Sequence, residues 1–109
     1  KISGIIHCTG GGQTKILHFV NNKRIIKNEL FKIPEIFEII HQDTESSFKE
    51  MYEVFNMGHR MEIYCSQTVA NDIIDISKEF NVDAKVIGFV ENSSKNELII
   101  KTKEGKIEY

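Results

Sequence analysis

The spacing of the apolar residues changes several times along the chain, and each change predicts a different element. A mostly apolar run over Ser3 to Cys8 predicts a strand, which leads into three consecutive glycines. A short helical turn is predicted over Gln13 to Leu17, and Arg24-Ile25-Ile26-Lys27 predicts a second, shorter strand. The opening part of the chain is therefore predicted as two strands joined through a glycine-rich loop.

Two helices are predicted next. Pro34 suits the first position of a helix that ends near His41, with its apolar face formed by Ile33, Ile36, Phe37 and Ile40. Ser47 and Glu50 form a Ser-x-x-Glu capping box that begins a second helix. This helix is predicted to run to about Phe55, with Phe48, Met51 and Tyr52 at helical spacing and Asn56-Met57-Gly58 as its terminator.

From Arg60 onward, apolar and polar residues first alternate, and the apolar residues then recur at helical spacing. The alternation predicts a strand with one buried face, in which the apolar Met61, Ile63 and Cys65 point one way and Glu62 and Tyr64 the other. Ser66 can cap a long helix ending near Asn81, with a core stripe of Val69, Ile73, Ile76 and Phe80. Strands are predicted over Ala84 to Val90 and Leu98 to Lys101, followed by a Glu104-Gly105 turn into Ile107.

This order of elements predicts an α+β or α/β fold. The sequence strand, helix, strand, strand after Arg60 places a helix on a mixed sheet, and the two earlier helices can cover its far face. The chain has 109 residues, of which 40% are apolar and 28% charged. These values fit a single domain, residues 1–109, with one hydrophobic core.

Charge and cysteine content argue against several classes of function. The net charge of −2 and the short basic clusters, which are interleaved with acids, argue against nucleic-acid binding. Cys8 and Cys65 lie in apolar runs without Cys-x-x-Cys spacing, so we expect reduced thiols and a cytoplasmic protein. No apolar stretch approaches the roughly 18 residues of a membrane span, so no membrane partner is expected. The start at Lys1, directly before a strand, suggests a fragment of a longer protein.

The glycine triplet Gly10-Gly11-Gly12 is the first candidate site. Three consecutive glycines suggest a backbone bend that side chains would block, and the amides of such a bend can converge on an anion. Thr9 and Thr14 could add hydroxyl donors. The loop is not a Walker P-loop, because no Gly-Lys-Ser/Thr follows. By pattern alone, a tight turn is as good an explanation as phosphate binding.

The remaining candidates are weaker on pattern alone. Asn56-Met57-Gly58 is typical of a helix C-cap with Asn56 or Gly58 in the left-handed conformation. His7 lies near a strand end, where a histidine is usually packed, although beside an anion loop it could hold phosphate or move protons. His18, His41, His59 and Cys65 lack ligand spacing, so no metal site is predicted within the chain.

Several segments together resemble the motifs of one enzyme family. The segment Ile6-His7-Cys8-Thr9-Gly10-Gly11-Gly12 resembles the family's His-Ile-Thr-Gly-Gly-Gly. Downstream, Ile33-Pro34-Glu35-Ile36-Phe37 resembles Val-Pro-Pro-Ile-Phe, and Glu50-Met51-Tyr52 resembles Glu-Glu-Met-Tyr. Phe55-Asn56-Met57-Gly58 with Met61 resembles Phe-Asn-Met-Gly-x-x-Met, and Val86-Ile87-Gly88 resembles Val-Ile-Gly. Order and spacing agree along most of the chain, so the sequence resembles aminoimidazole ribonucleotide synthetase, also called phosphoribosylformylglycinamidine cyclo-ligase.

The resemblance implies most of the family's C-terminal domain, a layered α/β/α fold partly similar to ferredoxin-like topology. It implies an ATP-dependent ring closure of formylglycinamidine ribonucleotide to aminoimidazole ribonucleotide in purine biosynthesis. The N-terminal half, which in such enzymes supplies most of the ATP and magnesium site and the main homodimer contact, is absent. The chain alone is therefore expected to be inactive.

The resemblance also implies roles for particular residues. Gly10, Gly11 and Gly12 would cradle a phosphate of substrate or nucleotide, with Thr9 as a hydroxyl donor and His7 as a catalytic imidazole. Asn56 would line the same cleft, and Met57 and Gly58 would shape it. The family continues its triplet with Leu-x-Glu-Asn-Ile-Pro-Arg, whereas this chain has Gln13-Thr14-Lys15-Ile16-Leu17-His18 and lacks the arginine. Lys15 and His18 are the candidates to replace it.

Two alternatives remain open from the sequence. Another member of the same ATP-binding superfamily would share the glycine-rich layout, for example formylglycinamidine ribonucleotide synthase, selenophosphate synthetase or thiamine-monophosphate kinase. The Phe-Asn-Met-Gly motif after Glu-Met-Tyr favours the cyclo-ligase. The second alternative is a stand-alone ligand-binding or dimerisation module without catalysis, which would require a gene of about this length.

Overall fold

The computed structural model describes residues 2–109 and shows the α+β fold that the pattern predicts. Its strands are β1 (Ile2–His7), β2 (Lys23–Lys27), β3 (Met61–Cys65), β4 (Gly88–Asn92), β5 (Glu97–Thr102) and β6 (Gly105–Glu108). Its α-helices are α1 (Glu35–Thr44), α2 (Phe48–Val54) and α3 (Gln67–Glu79). A 3-10 helix covers Gly12–His18, where the short helical turn is predicted.

The strands form two sheets. A four-stranded sheet has the order β4-β2-β5-β6, in which β2 and β5 are parallel and the other pairs antiparallel. A mixed sheet is therefore confirmed, but β3, which the sequence places in it, lies outside it because it pairs with β1. The other sheet is an antiparallel ribbon of β1 and β3, in which Ile5 is opposite Ile63. One hydrophobic core links both sheets to α2 and the 3-10 helix, and its buried residues are Ile6, Cys8, Ile16, Ile25, Met51, Tyr52, Met57, Leu98 and Ile100.

The predicted caps are present at both serines. The Ser47 hydroxyl accepts a hydrogen bond from the amide of Glu50 at 3.2 Å. The Ser66 hydroxyl accepts one from the amide of Val69 at 3.4 Å. Each cap satisfies one of the amide groups that the first turn of a helix leaves unpaired. The structure thus confirms that α2 and α3 begin where the sequence places them.

The burial of β3 is the reverse of the expected one. Met61 is 59% exposed and Ile63 38% exposed, whereas Glu62 is only 5% exposed. The buried side of the strand is therefore the side of Glu62 and Tyr64. The physical reason is an ion pair, because the Glu62 carboxylate meets the ammonium group of Lys27 inside the molecule.

Two helix faces and one strand also differ from the prediction. On the apolar face predicted for the first helix, Phe37 and Ile40 in α1, and Ile33 just before it, lie against the core as predicted, but Ile36 is exposed. In α3, Ile76 and Phe80 are exposed, and no residue in the described helix is fully buried. The predicted strand 84–90 begins only at Gly88, because β4 pairs with β2 and the ladder starts at the Lys27–Gly88 pair.

Helix ends shift slightly as well. α1 continues past His41 to Thr44, and Pro34 precedes its first residue rather than occupying it. None of the helices within residues 2–109 has the length and apolar character needed to cross a lipid bilayer.

Candidate functional site

The glycine loop is a tight turn between β1 and the 3-10 helix. The Thr9 amide donates to the carbonyl of His7 at 2.8 Å, and the Gly12 amide donates to the carbonyl of Thr9 at 3.0 Å. Gly11 has a φ of 91° at the N-cap of the 3-10 helix, in the left-handed region that favours glycine. The chain therefore reverses direction at the end of β1 through a bend closed by its own backbone.

Gly12 is needed for close packing. A Cβ atom at this position would lie 2.5 Å from the carbonyl oxygen of Phe55 and 2.7 Å from that of Tyr52. Gly12 also has a φ of 49°. The glycine loop thus lies directly against the C-terminal end of α2, and its third glycine is buried there.

The amides of the loop are not all available to a ligand. Gly12 uses its amide within the turn, and the Thr14 hydroxyl donates to the carbonyl of Gly11 at 2.7 Å. The amides of Gly10 and Gly11 donate to no atom among the described residues. Both glycines are exposed, and at Gly10 the space around a hypothetical Cβ is open. Gly10 and Gly11 are therefore the donors that could meet an anion.

A lysine lies at the same loop. The Lys15 ammonium donates to the carbonyl of His7 at 2.9 Å and to the Thr9 hydroxyl at 3.1 Å. Its positive charge therefore lies at the turn that precedes Gly10. His18, the other candidate for the missing arginine, is exposed at the far end of the 3-10 helix. Of the two candidates, Lys15 is the one in contact with the loop.

The Asn56-Met57-Gly58 motif forms a second turn beside the loop. The Asn56 side-chain oxygen accepts a hydrogen bond from the Gly58 amide at 2.8 Å. The predicted C-cap role is wrong, because α2 ends at Val54 and its C-cap is Phe55 in an extended conformation. In the turn that follows, the left-handed residues are Gly58, with a φ of 98°, and Met57, with a φ of 54°, rather than Asn56. A Cβ at Gly58 would lie 2.8 Å from the Cδ of Pro34. The turn is therefore held against the start of α1, with the Met57 side chain in the core.

Gln13 connects the two turns, a contact that the sequence analysis missed. Its side-chain amide donates to the carbonyl of Asn56 at 2.7 Å. The Lys27 ammonium in turn donates to the Gln13 carbonyl at 3.0 Å and to the Gln13 side-chain oxygen at 2.8 Å. Gln13 follows the glycine triplet directly, but neither periodicity nor spacing shows where its side chain points.

The ion pair of Lys27 and Glu62 completes this buried polar network. The Lys27 Nζ lies 2.5 Å from the Glu62 Oε2, and the Tyr64 hydroxyl donates to the Glu62 Oε1 at 3.2 Å. Lys27 and Glu62 lie on β2 and β3, so the pair joins the two sheets. A signal existed in the sequence, since both charges interrupt apolar strands, but the alternation predicted Glu62 on the exposed side of its strand and made no prediction for Lys27.

The network changes the acid–base behaviour of its neighbours. Burial, followed by the Glu62 charge, raises the pKa of the Cys8 thiol to about 12, so the thiol stays protonated near neutral pH. The same two causes raise the pKa of Tyr64. Burial and the Lys27 charge lower the pKa of His59, whose Nε2 accepts a hydrogen bond from the Phe31 amide at 3.1 Å. These groups hold structure and are not activated nucleophiles or bases.

The predicted site residues therefore divide into two groups. His7, Thr9, Gly10 and Gly11 lie exposed at the rim of the glycine loop, whereas Gly12 and Met57 are buried beneath it. Asn56 and Gly58 form the adjoining turn. Within residues 2–109, no three His, Cys, Asp or Glu side chains lie close enough together to hold a metal ion. The exposed donors, amide and ammonium groups, suit a phosphate anion.

Comparison with known proteins gives one consistent family. The sequence pattern of the family described as "AIR synthase related protein, C-terminal domain" matches residues 1–101. The phosphoribosylformylglycinamidine cyclo-ligase of Methanopyrus kandleri is 35% identical over 92 residues, which cover 84% of this chain and 26% of the relative. The relative of the same name from Methanobrevibacter smithii is 33% identical over 104 residues, covering 95% of this chain and 30% of the relative.

A third relative has the same name. The phosphoribosylformylglycinamidine cyclo-ligase of Syntrophus aciditrophicus is 35% identical over 102 residues, covering 85% of this chain and 28% of that protein. The chain thus spans less than a third of the length of these curated relatives. Because the family pattern matches almost all of its residues, the chain belongs to the AIR synthase related protein C-terminal domain family.

Proposed function

We propose that the chain is part of the C-terminal domain of a phosphoribosylformylglycinamidine cyclo-ligase. The enzyme would use ATP to close the ring of formylglycinamidine ribonucleotide, forming aminoimidazole ribonucleotide in purine biosynthesis. The observation that carries the proposal is the 33–35% identity to relatives of that name across most of the chain. The fold adds support, because Gly12 and Gln13 bring the glycine loop into contact with the Asn56–Gly58 turn.

The role of the glycine loop in this proposal is to hold a phosphate of substrate or nucleotide. The free amides of Gly10 and Gly11 and the ammonium of Lys15 provide donors at the turn. The Thr9 hydroxyl already accepts from Lys15, which leaves its own proton for an anion. His7, at the end of β1, is proposed as the nearby imidazole donor. Gly12, Asn56, Met57 and Gly58 then shape and support the loop.

The proposed chemistry needs positioned charge rather than a covalent protein nucleophile. The formamide oxygen of the substrate attacks the γ-phosphorus of ATP, and ADP leaves. An internal nitrogen then attacks the activated carbon, and inorganic phosphate leaves. Donors fixed before the reaction can stabilise the charge that develops on the phosphoryl oxygens. Lys15 would serve here in place of the arginine that the family carries after its triplet.

The rest of the ATP site is assigned to polypeptide outside this chain. The proposed phosphate cradle has no carboxylate cluster for Mg²⁺ beside it, since no three His, Cys, Asp or Glu side chains of the described residues lie close enough to hold a metal ion. We therefore propose that an N-terminal half supplies most of the ATP and magnesium contacts and the main homodimer interface. The complete enzyme would act in the cytoplasm, and this chain alone would not turn over substrate.

The proposal is tested by replacing Lys15 in the whole protein. We expect Lys15→Met to lower kcat/KM for formylglycinamidine ribonucleotide by about a hundredfold, because it removes one charged donor. Lys78→Met, on the exposed surface of α3, is the matched control and should leave the kinetics unchanged. If Lys15→Met and the unmodified enzyme had the same kinetics, Lys15 would not be part of the site. Absence of any cyclo-ligase turnover by the whole protein would overturn the function itself.

A second measurement uses the chain as it stands. In a titration with inorganic phosphate, the amide resonances of Gly10 and Gly11 should shift, because these groups are free to donate. The Gly12 amide should not shift, since it already donates to the Thr9 carbonyl. Equal shifts throughout the chain, or none at the loop, would contradict the proposed cradle.

A further inference from the structure

The hydrogen bonds between the glycine loop and the rest of the fold pass through one residue. The backbone bonds that close the turn lie within residues 7–14. Among residues 9–14, all of which the structure describes, only Gln13 hydrogen-bonds to a part of the chain beyond the 3-10 helix. Because glycine has a wide choice of backbone conformations, consecutive glycines do not fix their own shape. The orientation of Gly10 and Gly11 therefore depends on how Gln13 is held.

Gln13 is held by both its side chain and its main chain. The residue is 0% exposed, and both ends of its side-chain amide are paired. The Nε2 donates to the Asn56 carbonyl at 2.7 Å, and the Oε1 accepts from the Lys27 ammonium at 2.8 Å. The same ammonium donates to the Gln13 carbonyl at 3.0 Å. Lys27 therefore fixes two oxygen atoms of the residue that directly follows the glycine triplet.

Lys27 refers this position to both sheets. It lies in β2, a central strand of the four-stranded sheet, and its Nζ is 2.5 Å from the Oε2 of Glu62 in β3. The three N–H groups of the ammonium thus face two oxygens of Gln13 and one carboxylate. Lys27 is only 1% exposed, so it has almost no surface with which to touch a ligand, and the Glu62 charge offsets its own. Its effect on a bound anion is therefore one of position rather than charge.

Stability alone does not account for this buried ion pair. Well-packed apolar residues of similar volume often stabilise a core as well as a buried ion pair, or better. Apolar side chains cannot fix a carbonyl at a defined distance and direction, however, whereas hydrogen bonds can. A binding loop that is held in place before its ligand arrives also avoids the entropy cost of being ordered by that ligand. The arrangement suits a preorganised loop.

We propose that Lys27 and Gln13 are positioning residues, which together hold the amides of Gly10 and Gly11 in the orientation that binds a phosphate group. This inference rests on the proposed function, under which the glycine loop holds a phosphate of substrate or nucleotide. It adds that the phosphate affinity of the loop depends on two buried residues that do not contact the phosphate.

The double variant Lys27→Met with Glu62→Leu, made in the whole protein, separates positioning from stability. It removes both buried charges, so the thermal unfolding midpoint should stay close to that of the unmodified protein. Gln13 nevertheless loses both bonds from the ammonium. The dissociation constant for inorganic phosphate should therefore rise at least about tenfold, as followed through the amide resonances of Gly10 and Gly11.

An exposed ion pair provides the matched control for the double variant. Lys106 and Glu108 of β6 are paired at 3.4 Å, and both side chains are more than half exposed. Lys106→Met with Glu108→Leu makes the same two replacements there and should leave phosphate affinity unchanged. A Lys27→Met with Glu62→Leu protein that is stable and binds phosphate normally overturns the proposal. An equal loss of affinity in the control also overturns it.

Gln13→Leu tests the same proposal even if the double variant does not fold. This variant keeps the buried ion pair and removes only the side-chain bonds of Gln13. The amides of Gly12 and Thr14, which close the turn, should exchange with solvent at least about tenfold faster, and phosphate affinity should fall as in the double variant. Gln42→Leu, the identical replacement at an exposed position of α1, should change neither measurement. Unchanged exchange at the loop or unchanged phosphate affinity in Gln13→Leu overturns the proposal.

The outcomes separate this inference from the proposed function. A tenfold loss of phosphate affinity in both variants of a protein without cyclo-ligase turnover would keep the positioning role and overturn the activity. Full turnover and normal phosphate binding in both variants would keep the activity and overturn the positioning role. If phosphate shifts neither the Gly10 nor the Gly11 resonance of the unmodified protein, the loop is not a phosphate cradle, and this inference fails with it.

Discussion

At the scale of single residues, Gly12 combines a close backbone approach with a positive φ. A Cβ at Gly12 would overlap the carbonyl oxygens of Phe55 and Tyr52, which are backbone atoms that cannot rotate away. We expect Gly12→Ala to lower the free energy of unfolding by about 2–4 kcal/mol, combining a backbone clash with positive-φ strain. Urea denaturation followed by circular dichroism measures the change.

Gly10→Ala is the matched control for that prediction. Among residues 2–109, nothing lies within 4 Å of a Cβ at Gly10, and its φ is not in the left-handed region. Its effect should stay within about 0.5 kcal/mol. If both variants lost the same stability, the close approach of Gly12 to α2 could not be the cause.

His59 makes the stability of the fold depend on pH. Its burial lowers the pKa of the imidazole below the ordinary value of 6.5. Below that pH the unfolded chain binds a proton at His59 that the folded chain refuses, so the free energy of unfolding falls as the pH falls. The contribution is fully present above pH 6.5 and decreases toward the folded pKa.

Thermal unfolding between about pH 7 and pH 5 checks this dependence. The His59→Gln variant keeps an acceptor for the Phe31 amide but cannot be protonated, so its midpoint should fall less steeply with decreasing pH. Parallel curves for the two proteins would show that other groups cause the acid sensitivity.

The sequence indicates which glycines the backbone requires better than it indicates other residues with unusual conformations or roles. A run of three glycines predicts a bend that side chains would block, and Gly12 confirms it. The loop residues available to an anion, however, are selected by hydrogen bonds within the turn, which composition does not show. The left-handed Met57 was also not predictable, because its strain is offset by burial of its side chain in the core.

At the scale of elements, the buried pair of Lys27 and Glu62 joins β2 to β3. Glu62→Leu leaves the Lys27 ammonium inside the protein without its counter-charge, which costs about 3–5 kcal/mol. We expect this single variant to be largely unfolded near room temperature. The double variant Lys27→Met with Glu62→Leu removes both charges and should recover most of the lost stability.

Denaturation of the single and double variants measures this coupling as a difference in unfolding free energy. The Lys27→Met single variant completes the cycle. Additive losses, with the double variant less stable than either single one, would show that the two charges do not depend on each other.

The same pair explains where element-scale prediction failed. Periodicity correctly separated Met61 and Ile63 from Glu62 and Tyr64, but it assumed that the apolar side is the buried one. An ion pair with a tyrosine hydroxyl and a glutamine beside it can occupy an interior when its hydrogen-bonding groups find partners. A strand pattern shows which residues share a side, and only the tertiary structure shows what each side meets.

At the scale of the whole molecule, the order of elements was predictable and their long-range pairing was not. Capping serines located the starts of α2 and α3 because those signals are local, whereas the strand predicted from residue 84 begins only at Gly88. The parallel pairing of β2 with β5 joins Arg24 to Glu97 across most of the chain, and no local pattern encodes it. In α3, likewise, the helical period identifies the apolar stripe but not whether the fold covers it.

The uneven packing of the molecule predicts an uneven local stability. The central strands β2 and β5 carry Ile25, Leu98 and Ile100, all almost completely buried, whereas α3 has no buried residue in the described structure. Local openings require less free energy where fewer apolar contacts break. In the isolated chain, the amides of Ile73 and Ile74 should therefore exchange at least about tenfold faster than those of Ile26 and Ile99. If the amides of α3 exchanged as slowly as those of β2 and β5, the helix would open only when the whole fold opens. The exposure of its side chains would then contribute nothing to its mobility.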